Sequence, residues 1–173
     1  MKKYLILVLI VLLIGALSVG VLAGKNGQAG KSNTAHLYLY EKDPDTWEIV
    51  PDGAWGKMKY NMSGDEFDFV FNGHGLEPGY EYTLIYYPDP WPGEGLICLG
   101  EGTVNEEGDI HIAESVDDTG DLPIGSDGNY PEGAKIWLVL TEDFNCDGGW
   151  SAWNPTEYLF EDDLITFDDT DDE

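Results

Sequence analysis

Glycine, proline and aspartate cut this chain into short apolar runs. After Ala23 no run keeps a 3.6-residue period over ten residues. That pattern leaves little room for helices and predicts short strands joined by turns. His36–Tyr40 reads as a first strand. Trp47–Val50 reads as a short second one, ended by Pro51-Asp52-Gly53. Lys57–Met62 alternates polar with apolar, and Phe67, Phe69 and Phe71 fall on one face of the next run. Both have the period of half-buried strands. Tyr80–Tyr87, Leu96–Gly100 and Asp109–Ala113 follow. Lys135–Leu140 is the most apolar run and therefore the central strand. Tyr158–Phe160 and Leu164–Phe167 close the set. Eight or nine strands spaced this way predict one antiparallel all-β domain, a sandwich or a barrel.

The N-terminus has a different grammar. Lys2 and Lys3 precede the apolar run Tyr4–Ile14, and Val21 and Ala23 supply small residues at −3 and −1 of a cleavage point. This is the layout of an export signal. If it is retained, Tyr4 to Ala23 is long enough to anchor the chain in a bilayer. The expected organisation is a signal peptide or anchor at 1–23 and a flexible linker at 24–34. A β-sandwich domain at 35–168 and an acidic tail at 169–173 complete it. The protein is expected to be secreted or held at the cell surface.

Charge narrows the partners. Thirty-four acidic residues stand against eight lysines and no arginine, a net charge of −26. Nucleic acid demands the opposite sign, as do anionic membrane surfaces. Membrane contact is expected only through the N-terminal segment, if uncleaved.

Three groups of residues could carry a function. Cys98 and Cys146 are the only cysteines. In an exported chain they predict one disulfide. Asp143, Asn145 and Asp147 match the first half of a calcium loop, but Asn154 stands where a bidentate glutamate belongs. The same pattern makes an Asx-rich turn. Calcium is the one cofactor these residues suggest. Finally, Tyr86, Tyr87, Trp91, Trp150 and Trp153 lie in or beside the two longest loops rich in proline and glycine. Flat rings there can stack on sugars, or they can pack over the end of the core.

Two resemblances follow from longer runs. Leu76-Glu77-Pro78-Gly79 leading into Tyr82-Thr83-Leu84 resembles a strand entry of immunoglobulin-like sandwiches, which implies that fold. Small up-and-down or jelly-roll barrels are the alternative. Three further runs resemble a family of uncharacterised exported acidic archaeal proteins: Tyr86–Gly93, Ala134–Leu140 and Trp153–Glu161. That likeness implies a source and a compartment, with no activity attached. The expected function is a non-enzymatic binding or cell-surface module for carbohydrate or a surface protein. The alternative is an extracellular hydrolase using paired carboxylates, which needs two of them flanking one cleft.

Overall fold

A computed structural model describes residues 32–171. The expected signal segment and most of the linker lie outside the described residues. The strands are β1 (Thr34–Tyr40), β2 (Trp55–Asn61), β3 (Ser63–Gly64), β4 (Phe67–His74), β5 (Glu81–Tyr87) and β6 (Ile97–Thr103). They continue as β7 (Ile110–Val116), β8 (Lys135–Leu140), β9 (Phe144–Asn145), β10 (Gly149–Trp150), β11 (Leu159–Glu161) and β12 (Asp168–Asp169). The helical content of the described residues is a single 3-10 turn, Pro155–Glu157.

Eight strands form one antiparallel sheet in the order β6-β5-β8-β11-β1-β2-β4-β7. The sheet curls until its edges, β6 and β7, lie against each other. The expected all-β class is therefore met on its barrel side, as one large sheet nearly closed on itself. Closure avoids leaving long free edges. Glycine makes the approach possible. A Cβ on Gly100 would sit 2.9 Å from Ile112 Cγ2, so any side chain there would push β6 away from β7. Inside the curl, Leu39, Met58, Phe71, Leu84 and Leu138 are fully buried. Phe71 lies over Gly56, where a Cβ would meet the ring at 2.2 Å. The ring fills the volume the glycine leaves empty.

The alternating runs behave as their period requires. In β4, Phe67, Phe69 and Phe71 are buried while Asp68, Val70 and Asn72 are exposed. Strand β8, expected to be central, is an interior strand, third in the order between β5 and β11. Strand β5 departs from alternation, since every residue after Glu81 is buried. Its outer face is covered by the segment between β8 and β11. Phe144 O in that segment accepts a hydrogen bond from Thr83 Oγ1 at 3.2 Å, and the Cys98–Cys146 disulfide ties the segment to β6.

Two predicted strands take other forms. Trp47–Val50 is irregular backbone following a turn at Pro44–Thr46, with one β-bridge from Ile49 to Lys42. The cause is Asp43, whose carboxylate accepts hydrogen bonds from the N–H groups of Asp45 and Thr46, both at 2.9 Å. This Asx turn out-competes a ladder. Leu164–Phe167 contributes only isolated bridges, Ile165 to Ala134 and Phe167 to Leu122. At the acidic end, Asp168 and Asp169 pair in parallel with Ser63 and Gly64, and Asp169 is buried.

Candidate binding face

The site is built on the outer face of β5 and β8. Tyr87 and Trp137 are diagonal neighbours there, stacked with ring centroids 3.9 Å apart and planes 10° from parallel. Both are buried. Three tryptophans lie over this base. Trp91 comes from the loop after β5, and Trp150 and Trp153 come from the segment after β8. Their centroids are 5.3 Å apart for Trp91–Trp150, 5.7 Å for Trp91–Trp153 and 5.8 Å for Trp150–Trp153. Trp153 also lies 5.9 Å from Trp137. Trp91 is 56% exposed and Trp153 40%, so two indoles of this packed group remain in water.

Trp150 and Trp153 are fixed from beneath. The disulfide joins Cys98 on β6 to Cys146, with Cα atoms 5.6 Å apart, and carries the loop that holds Trp150. Asp143 holds the other end. Its buried carboxylate accepts hydrogen bonds from the Tyr158 hydroxyl at 2.6 Å and from Asn154 Nδ2 at 2.8 Å. Burial, reinforced by that bond, pushes the Tyr158 phenol well above its ordinary range. Phe144 packs on Trp150 and Tyr158 on Trp153, with centroids 5.0 and 5.3 Å apart.

Of the five predicted aromatic residues, the structure gathers Tyr87, Trp91, Trp150 and Trp153. Tyr86 stands apart. It is fully buried in the core, and its hydroxyl donates to Asp127 Oδ2 at 2.6 Å. Adjacent residues of a strand project to opposite faces, so Tyr86 and Tyr87 cannot share one site. Trp137, which the sequence analysis did not single out, belongs to the base of the face.

The predicted metal residues have defined partners. The Asp143 carboxylate is engaged as described above. Asn145 Oδ1 accepts from the N–H groups of Asp147 and Gly148 at 3.2 and 2.6 Å, an Asx turn, and Asp147 is exposed. Carboxylates line several clefts: Glu77, Glu142 and Glu157 share one of about 420 Å³, while Asp68 and Glu114 line a shallow groove of about 570 Å³. Asp68 lies opposite Ser115, and Glu114 lies opposite Phe69. Those positions alternate, so the two carboxylates lie on opposite faces of the sheet and do not flank one bond.

Glu161 is the acid with the most altered environment. Burial pushes its carboxyl up to about 7, eased by its own backbone N–H, Lys42 and Lys135. Its Oε2 is buried, and neither it nor Trp137 Nε1 closes a hydrogen bond. Sequence reasoning had no signal for this residue among 34 acids. No protein-family model, curated protein or solved structure matches this chain.

Proposed function

We propose that this chain is an exported, non-enzymatic binding module whose Trp91, Trp150 and Trp153 face takes a carbohydrate ligand. One observation carries the reading. Trp91 and Trp153 hold large exposed ring faces on a support fixed by a disulfide, a buried carboxylate network and a stacked Tyr87–Trp137 pair. A grouped apolar patch kept in water marks an interaction surface. Rings held rigid from below lose little conformational entropy on binding. Indole faces stack on the C–H faces of sugar rings, and nearby polar groups bond hydroxyls. The disulfide is in keeping with an oxidising compartment outside the cytoplasm.

The test is a glycan-array screen of the mature chain, followed by titration calorimetry of any hit. Trp91→Ala should weaken binding about fivefold, the stacking of one ring being worth on the order of 1 kcal/mol. Its melting temperature should stay close to that of the wild type, because Trp91 is more than half exposed. Unaltered affinity in Trp91→Ala would refute the assignment. Export is checked separately: the mass of the mature protein should begin at Gly24.

A further inference from the structure

The register of the large sheet places one aromatic ring at the same level on successive strands. Trp137 lies opposite Phe160, Phe160 opposite Tyr40, Tyr40 opposite Trp55, and Trp55 opposite His74. These positions form one straight row over β8, β11, β1, β2 and β4. Directly opposed residues share a face, so the row lies on the outer side of the curl. Ring contacts run along it. Trp137 and Phe160 centroids are 5.3 Å apart, Tyr38 bridges Tyr40 and Trp55 at 6.2 and 6.5 Å, and Trp55 meets His74 at 4.8 Å. The row begins at the Trp91–Trp153 face, because Trp153 contacts both Trp137 and Phe160.

Trp47 is placed on this row at a conformational cost. Its φ is 60°, the left-handed region that bulky residues avoid. The Asx turn at Asp43 and the bond from Trp47 N to Asp43 O at 2.7 Å hold it there. The ring meets Phe160 edge-on at 5.0 Å and stays 51% exposed. About half of the indole covers the buried Phe160 and the other half stays in water, and such backbone outliers collect at functional sites.

Charge selects the ligand. Three of the four lysines among the described residues flank the row: Lys42, Lys57 and Lys135. Lys57 Nζ stands 5.3 Å above the Tyr38 ring, and Lys135 pairs with Asp89. At the far end the His74 imidazole meets Asp109 at 2.7 Å. The strip thus offers donors and acceptors of both signs. The net charge of −26 repels polyanions, and the three lysines give the rings a mixed rather than a purely acidic rim.

Resting on the carbohydrate reading above, we propose that the ligand is an extended, uncharged polysaccharide chain of equatorially linked hexoses. It lies along the row from Trp91 past Trp47 to Trp55. Such sugars present flat C–H faces for stacking, and their hydroxyls suit mixed donors and acceptors. The test uses β-1,4-linked glucose and N-acetylglucosamine oligomers of rising length, with a β-linked uronate polymer as the charged control. Affinity should rise with chain length until the chain reaches Trp55. Trp55→Ala, at a 39% exposed ring, should lower long-chain affinity about fivefold and leave the shortest binders unchanged. Trp47→Ala should act the same way. Binding that depends on Trp91 but not on chain length would overturn the extended track and leave the carbohydrate reading standing. Absence of any glycan binding would remove both. Preference for the uronate, or Trp55-dependent capture of a protein instead, would also refute the proposal.

Discussion

Replacing Glu161 with glutamine should remove a pH dependence from folding. In the folded chain the carboxyl titrates near 7 rather than at its ordinary 4.5, with burial the largest cause. Below the unfolded value both states hold the proton and the shift costs nothing. As pH rises toward 7 the unfolded chain gives up its proton while the fold retains it, so stability falls. Above 7 the loss is complete and constant. Between about pH 5 and about pH 8 this single group should take away about 2 kcal/mol. Other carboxylates add their own slope, so the useful quantity is the difference between wild type and Glu161→Gln at each pH. Urea unfolding supplies it. The variant should gain on wild type by about 2 kcal/mol from the acid end to the alkaline end, whatever its absolute stability. Any new cost of burying an amide beside Trp137 is independent of pH and cancels. A difference that stays flat over this range would show that Glu161 ionises in the fold as it does in water.

Salt and redox state give two further measurements. Lys135–Asp89 is an ion pair, and with 34 acidic residues against eight lysines most carboxylates must repel one another. The melting temperature should rise from low to near-molar salt as that repulsion is screened, and a flat profile would contradict it. Thiol titration of the unfolded, unreduced chain should find no free cysteine. Reduction should cost about 4 kcal/mol, since Cys98 and Cys146 close a loop 48 residues apart in sequence. A reduced chain of unchanged stability would place the loop's order in the Asp143 network instead.

What the sequence made legible depended on how far each segment's environment is local. Strands β2 and β4 have one face in the core and one in water, so their burial follows a period of two that any reader can see. Strand β5 gives no such pattern, because a segment more than fifty residues later covers its outer side. The turn at Asp43 was written in Asp-Pro-Asp-Thr, yet the aromatic and β-branched run from Trp47 to Val50 reads as a strand when taken alone. The aromatic loops were visible as loops, and the disulfide as a pair of cysteines. Which of Tyr86 and Tyr87 joins the face depends on the phase of β5 against the core, and neither neighbour's identity reveals it.

The row from Trp137 to His74 was illegible for a stronger reason. Each of its rings is unremarkable in its own strand, and Trp55 sits at the very start of β2. Only the register over five strands aligns them, and a slip of one residue in any pairing would send a ring to the other face. The same register that buries Leu39, Met58 and Phe71 inside therefore fixes Tyr40, Trp55 and their neighbours outside. Core packing and the proposed ligand track are thus two faces of one constraint. A substitution inside the curl, such as Phe71→Ala, should loosen the alignment of rings it never touches. Loss of long-chain binding without loss of the Trp91 site would be the mark of that coupling.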